Sequence, residues 1–290
     1  MAASLPSVTV VIPAFRQATF VRGCLDSVAA QSYGGQIEVV VVDDGCPERS
    51  GDVAAAHPIS PKVIRQPNSG VAAARNRGIA ESTGRYVAFL DADDRWHPSK
   101  LKIQIERLEA QGAPAFSFTR YRAIHPSGQV ADDQQHPSAS LQPSLQSLAR
   151  QNFVGCSTAV VHRLCLEEVG GFPDSTALRR GGQDYALWLR IASIAPLVFI
   201  PEVLVDYMVH PGSRVGNDAV KNFDGAVYAL RSFQAWSEER FVSLTGRSYR
   251  ALVGLRALDM ARDLKRRSTL DVRTWRRAAR SCWLALASAR

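Results

Sequence analysis

Two valine-rich runs, Ser7-Val8-Thr9-Val10-Val11-Ile12-Pro13 and Ile37 to Val42, constrain what this chain can fold into more than any other feature. Each is apolar almost throughout, without the strict alternation of a strand that keeps one wet face. Between them Phe20, Val21, Cys24, Leu25 and Val28 recur at helical spacing, and Gly34-Gly35 ends the stripe. Strand, helix, strand with continuously apolar strands predicts an α/β fold whose parallel sheet is covered on both faces. Ligands of such sheets bind beyond the carboxyl ends of the strands. The second run delivers Asp43-Asp44-Gly45 to that edge.

A third strand, Lys62 to Arg65, leads through Gln66-Pro67-Asn68-Ser69-Gly70 into the alanine-rich segment Val71 to Glu81, a predicted helix. Gly70 permits a close turn, and the helix start offers free amides and a positive dipole end to a phosphate. Arg75-Asn76, one turn in, suits either a plain surface helix or a face toward a nucleotide. Next, Arg85 to Leu90 runs straight into Asp91-Ala92-Asp93-Asp94. Three carboxylates this close repel one another. A divalent cation with oxygen ligands offsets that repulsion, above all if it also holds a phosphate. A solvated acidic turn capping the following helix explains the same residues.

Trp96-His97-Pro98-Ser99 is read as the start of a helix carrying Leu101, Ile105 and Leu108 on one face, with Pro98 in the first turn. Pro114 to Arg122 and Ser157 to Val161 read as strands, and Arg163 to Val169 as a short helix closed by Gly170-Gly171. Residues 125–147, rich in Pro, Ser, Gln and Asp, read as a long loop, either a lid over the site or a disordered excursion. A helix over Tyr185 to Ser193 places Asp184 near its start, where an acid is ordinarily a dipole partner. Leu197 to Ile200 and Val203 to Tyr207 read as a strand pair leading to Met208-Val209-His210-Pro211-Gly212-Ser213, with His210 on a loop.

The 290 residues suffice for one large domain with an appendage. No run approaches the roughly 18 apolar residues of a membrane span. Met1-Ala2-Ala3-Ser4-Leu5-Pro6 lacks the basic and apolar regions of a secretory signal, and the five scattered cysteines fit reduced thiols, so a cytoplasmic location is expected. The net charge of +8 is a property of the tail: residues 221–290 hold 15 Lys/Arg against 6 Asp/Glu. There Trp275, Ala279, Cys282, Trp283 and Leu286 recur at near-helical spacing, with Arg273, Arg276, Arg277 and Arg280 largely on other faces. Such a helix suits the inner face of an anionic membrane, packing on the main domain, or a homo-oligomer contact. No aromatic-and-basic sheet face or nucleic-acid motif accompanies the charge, so nucleic acid is not an expected partner.

Seven segments in this order resemble the family 2 glycosyltransferases of GT-A fold. They are Val10-Val11-Ile12-Pro13-Ala14-Phe15; Val41-Val42-Asp43-Asp44-Gly45; Asn68-x-Gly70 through Ala74-Arg75-Asn76-x-Gly78; Phe89-Leu90-Asp91-Ala92-Asp93-Asp94; Val169-Gly170-Gly171-Phe172; Gln183-Asp184-Tyr185-x-Leu187-Trp188-Leu189-Arg190; and Tyr207-x-x-His210-Pro211-Gly212-Ser213. The resemblance implies a Rossmann-like, mostly parallel sheet flanked by helices over residues 1–215, with a basic helical C-terminal extension over 216–290. The donor half would lie at about 1–122 and the acceptor half at about 150–215. It implies an enzyme that moves a sugar with inversion from a nucleotide diphosphate sugar, UDP-sugar by default, to the hydroxyl of a carbohydrate, lipid-linked or other acceptor. Asp43 or Asp44 would contact the base, Asp43 by preference. Arg75 would lie along the nucleotide, and Asp91 would meet the ribose or sugar. Pro13, Ala14, Phe15, Asn68, Gly70 and Ala92 would line the same nucleotide-sugar site. Asp93 would bind the Mg²⁺ or Mn²⁺ that bridges the diphosphate, His210 would complete that site, and Asp184 would be the general base.

Three positions depart from the family pattern. Gln183 stands where an acid often precedes the base, Met208 where an arginine often precedes the histidine, and Cys46-Pro47-Glu48 replaces Ser-Thr-Asp after the first acids. Two alternatives carry less. A sugar nucleotidyltransferase would place a Gly-rich loop with Arg and Lys after the first strand, where this chain has Pro13-Ala14-Phe15-Arg16-Gln17. A non-catalytic nucleotide-sugar-binding protein of the same fold would have lost an acid of the triplet or the base, yet Asp91, Asp93 and Asp184 are present.

Overall fold

The computed structural model describes residues 4–138, 140–173, 181–210 and 219–238, with Ala257, Met260, Ala261, Ala278, Arg280 and Ser281 beyond them. In chain order the elements are β1 (Val8–Ala14), α1 (Val21–Ala29), β2 (Ile37–Asp43), α2 (Ser50–Ala55), β3 (Lys62–Arg65), α3 (Val71–Ala80), β4 (Tyr86–Phe89), β5 (Arg95–Trp96) and α4 (Lys100–Glu109). They continue with β6 (Phe116–Ile124), β7 (Val130–His136), α5 (Leu145–Arg150), β8 (Val160–His162), α6 (Arg163–Val169), α7 (Gln183–Ala192), β9 (Leu197–Met208) and α8 (Ala219–Glu238). Two compact units result: one from Met1–Pro143, Phe153–Phe172 and Ile194–Pro211, the other from Ser144–Asn152, Pro173–Ser193 and Gly212–Arg290. The division therefore does not follow a single cut near residue 215, because residues 144–152 and 173–193 group with the C-terminal stretch.

The first unit is built on one sheet in the order β3-β2-β1-β4-β8-β6-β9-β5, with β7 added to β6. β3, β2, β1 and β4 run parallel, and their register sets Ala14 beside Asp43 and Val11 beside Phe89. The acids following β2 and β4 thus emerge at one edge. β8 joins antiparallel between β4 and β6, while β6 and β9 are parallel to each other. The continuous valine runs are explained by burial on both faces. Val8, Val10, Ile12, Val39 and Val41 pack with Val21, Leu25 and Val28 of α1, and Val40 and Val42 pack with Ala74 of α3. Each fully buried valine contributes about 1.5–3 kcal/mol of transfer free energy.

Four expectations are corrected. Residues 125–147 are not one loop: a turn closed by Gly128 N–H to the His125 carbonyl at 2.8 Å sends β7 back along β6, and Ser144 caps α5. Leu197 to Met208 is one strand rather than two, because Pro201 and Glu202 are exposed and absorbed where the β6–β9 register shifts. Cys156–Thr158 is a single 3₁₀ turn, with the Thr158 hydroxyl bonded back to the Gly155 carbonyl at 2.6 Å, so the strand begins only at Val160 and runs to His162. Trp96 belongs to β5, paired with Val205, and Pro98 precedes α4 rather than lying in its first turn.

In the second unit the Tyr185 hydroxyl of α7 donates to the Leu148 and Ala149 carbonyls of α5, both at 2.9 Å. Arg190 lies 5.6 Å from the centre of the Trp236 ring of α8 and bonds to Ser232 at 3.2 Å. No helix among the described residues is long and apolar enough to cross a membrane. Pro211, Gly212, Ser213 and the tail positions Arg273, Trp275, Arg276, Arg277, Ala279, Cys282, Trp283 and Leu286 lie outside the described residues.

Candidate active site

Beyond β2, the two adjacent acids shape loops. Asp43 Oδ1 accepts the Cys46 N–H at 2.8 Å, and its Oδ2 accepts the Gly51 N–H at 3.0 Å. Asp44 Oδ1 accepts from Gln66 Nε2 and the Ser69 N–H, and Oδ2 from the Gly70 N–H, all at 2.8 Å. The Ser69 and Gly70 amides just before α3 are therefore taken by the protein's own Asp44 carboxylate. Asp43 instead lines an open cleft of roughly 360 Å³ with Gly45, Cys46, Arg49, Asp52, Arg65 and Gln66. Gly45 holds φ at +69°, and a Cβ on it would stand 2.8 Å from the Asn68 backbone nitrogen. Asn68 is exposed, Pro13 half-buried, Ala14 buried and Phe15 exposed at the end of β1. Cys46 lies on the cleft wall with its sulfur 3.1 Å from the Arg16 amide nitrogen and 3.0 Å from Ser50 Oγ. Burial pushes this thiol up, but the combined hydrogen bonds from Ser50, Arg16 and Glu48 outweigh it and leave it below its ordinary value.

After β4 the three acids meet three different partners. Asp91 accepts from Arg75 Nη2 at 2.5 Å, and Arg75 is 5% exposed with its guanidinium 5.3 Å from the centre of the Phe172 ring. Asp93 Oδ2 accepts from His210 Nε2 at 3.0 Å and from Gln17 Nε2 at 3.4 Å. Burial first, then the neighbouring Asp91 charge, raises the Asp93 carboxyl above its usual range, with His210 opposing. Phe20, just before α1, stacks on the His210 ring with centroids 4.6 Å apart. Asp94 is no helix cap, since α4 starts only at Lys100 and the Asp94 side chain is 1% exposed. Its oxygens accept from Ser157 Oγ at 2.5 Å and from the Met208 N–H at 3.0 Å. Ala92 is buried between these acids.

Asn76 does not face a nucleotide: its amide bonds both ways to the Phe172 backbone. Asp184 is in the first turn of α7 and belongs to the second unit. Sequence reasoning missed Gln17, whose N–H bonds to Ser50 behind the cleft while its side chain reaches Asp93. It also missed Ser157 and Phe20, which nothing in their local sequence marks.

Among the described residues no group of three or more His, Cys, Asp or Glu side chains forms a protein cage for a metal. The donors that do meet are Asp93 and His210, and Gln17 Oε1 beside them is buried without a hydrogen-bond partner. Divalent ions that act on phosphates take few protein ligands and complete their shell with water and substrate oxygens. Two donors and an unsatisfied amide oxygen fit that open kind of site.

A half-parallel mixed sheet, with acids at the carboxyl ends of β2 and β4 and a histidine delivered beside them by β9, is the arrangement of a GT-A fold. The model described as "Glycosyl transferase family 2" matches residues 9–165, and the chain belongs to that family. A putative teichuronic acid biosynthesis glycosyltransferase, TuaG of Bacillus subtilis, is 31% identical over 64% of this chain and 72% of its own length. S. aureus TarS in complex with UDP-GlcNAc has a TM-score of 0.70 at 12% identity, over 95% of this chain and 79% of that one. The mannosyltransferase PcManGT of Pyrobaculum calidifontis, in complex with GDP-Man and Mn²⁺, has a TM-score of 0.58 at 19% identity, over 98% of this chain and 81% of that one. The chain spans only 41% of the length of an uncharacterized glycosyltransferase of Rickettsia felis to which it is 28% identical over 84% of itself.

Proposed function

We propose that this chain transfers a sugar with inversion from a nucleoside diphosphate sugar, a UDP-sugar by preference, to an acceptor hydroxyl in polysaccharide, glycolipid or other glycoconjugate synthesis. The observation that carries the reading is the meeting of Asp93 and His210, 117 residues apart in the chain, at 3.0 Å on the sheet edge where β2 and β4 deliver their acids. TarS structures hold UDP and UDP-GlcNAc, and PcManGT holds GDP-Man with Mn²⁺, so nucleotide sugars and a divalent ion suit this fold.

In this reading Asp43 and the cleft beside it take the base, with Pro13, Ala14 and Phe15 along the nucleotide. Asp44 holds the loop carrying Asn68 and Gly70. Arg75 fixes Asp91, which meets the ribose or the donor sugar next to Ala92. Asp93 and His210 would hold Mg²⁺ or Mn²⁺, and such an ion would supply Lewis-acid stabilisation of the charge developing on the departing diphosphate. Asp184 takes the proton of the acceptor hydroxyl as its oxygen bonds to the anomeric carbon and the bond to the diphosphate breaks, a contribution of roughly 10²–10⁴-fold. The donor grip falls in residues 1–122 and the acceptor grip in about 150–215. The basic stretch 216–290 serves as an attachment surface at the cytoplasmic face of an anionic membrane or between copies of the chain. A version without residues 265–290 that still sediments with anionic vesicles removes the membrane role.

A thermal-shift panel of UDP, GDP, dTDP and CDP, with and without Mn²⁺, tests the central claim. Ligand at a hundredfold excess over its dissociation constant stabilises by about 2.7 kcal/mol. UDP with Mn²⁺ is expected to raise the melting temperature most. No shift with any nucleotide and metal defeats the proposal.

A further inference from the structure

We propose that Asp94 is a positioning residue, which sets the Asp93–His210 pair by tying the loop of acids to the end of β9 through its two buried oxygens. The inference rests on the reading of Asp93 and His210 as the cation-holding pair. Asp94 touches neither the cleft nor solvent, so it binds no ligand itself. Its Oδ1 accepts the N–H of Met208, two residues before His210, and its Oδ2 accepts from Ser157 Oγ. The same Ser157 oxygen accepts the Asp91 N–H at 3.0 Å, and the Asp94 N–H closes the loop on the Asp91 carbonyl at 3.0 Å. Ser157 is fixed in turn, because Trp96 Nε1 donates to its carbonyl at 2.8 Å. One carboxylate therefore locks two segments, residues 91–94 and 208–210, that must approach within hydrogen-bond distance to present Asp93 beside His210.

The direction of the device follows from what is left when it is removed. β9 ends at Met208, and the Val209 N–H bonds to the Ile124 carbonyl of β6 at 2.8 Å, which leads the chain to His210. The Phe20 ring restrains its tilt from one side. The Met208 bond restrains how far its backbone stands from the acids. Residues that orient the ligands of a metal typically change its affinity by roughly 10- to 100-fold when replaced.

The test compares Asp94→Ala, Asp94→Asn and Ser157→Ala with the unaltered chain, reading Mn²⁺ affinity by electron paramagnetic resonance in the presence of UDP and, separately, UDP affinity without metal. Asp94→Ala is expected to weaken Mn²⁺ at least about tenfold and to leave metal-free UDP binding unchanged. Asp94→Asn is expected to recover most of the affinity, since its amide oxygen still accepts from Met208 and its amide nitrogen donates to Ser157. If Asp94→Ala does not fold, Ser157→Ala carries the comparison, with a smaller loss because the Met208 arm remains. Mn²⁺ affinity within about twofold of the unaltered chain in both alanine variants overturns the proposal. So does Asp94→Asn behaving like Asp94→Ala, which marks a role of charge rather than position. An unaltered chain that binds UDP but no Mn²⁺ instead overturns the cation-site reading, and this inference with it.

Discussion

Asn76 meets the backbone of Phe172 with both ends of its amide: Nδ2 donates to the Phe172 carbonyl and Oδ1 accepts its N–H, each at 2.8 Å. Phe172 is buried, and its ring lies edge-on to Phe89 with centroids 5.0 Å apart. Asn76→Ala leaves a buried donor and a buried acceptor facing a methyl group. Each unsatisfied group costs about 1–2 kcal/mol, so the loss should be about 2–4 kcal/mol, or roughly 5–15 °C in melting temperature. Asn76→Asp should be no better, because a carboxylate oxygen then faces the Phe172 carbonyl. Urea unfolding measures the loss, and UDP titration of the folded variant measures donor affinity, expected to stay within about threefold because the side chain is used up on Phe172. A variant within about 0.5 kcal/mol of the unaltered chain that binds UDP tenfold more weakly would refute this reasoning. It would return Asn76 to the nucleotide-facing role that its place on α3 suggested.

Gly45→Ala sets a Cβ against the Asn68 backbone at a positive φ, and should cost over about 1 kcal/mol and raise the KM for the donor by disturbing the cleft wall; an unchanged KM argues that the cleft is not the base site. For Asp206, burial raises the carboxyl, but hydrogen bonds from Arg122 and His97 outweigh it and leave it below its ordinary value. A depressed folded value means stability present above the ordinary carboxyl range and lost as pH falls through the folded one. Asp206→Asn should therefore lower stability near neutrality and flatten its acid decline, read as unfolding free energy against pH. Asp184→Asn should reduce transfer by about 10²–10⁴-fold with UDP and Mn²⁺ binding intact, and full transfer by that variant removes Asp184 from the role of base.

The parallel half of the sheet was legible because its information is local. Val8 to Ile12 and Val39 to Val42 are apolar on both faces, and only a doubly covered strand tolerates that. Acids at the ends of such strands were legible for the same reason. What each acid does was not, because the deciding partners are remote in sequence: Ser157 lies 63 residues from Asp94, and His210 lies 117 from Asp93. The helix start at Gly70 shows the same limit. The Ser69 and Gly70 amides invite an anion, and Asp44, just past the end of neighbouring β2, supplies one. β9 was misjudged on local grounds, since Pro201 reads as a stop unless the neighbouring strand shifts register to pass it.

The acids at 91–94 are read from the sequence either as a cation site, with Asp91 turned to the ribose or sugar and Asp93 to the metal, or as a solvated cap on the following helix. In the structure each of the three carboxylates has found a different kind of partner. Asp91 has a buried cation in Arg75, Asp93 has an imidazole, and Asp94 has neutral donors from Ser157 and the Met208 backbone. Burial and the adjacent Asp93 and Asp91 charges, in that order, push the Asp94 carboxyl well above its ordinary range. Removing Asp93 should then abolish cation binding without unfolding the loop, whereas removing Asp94 should leave the charge at the mouth and lose its placement.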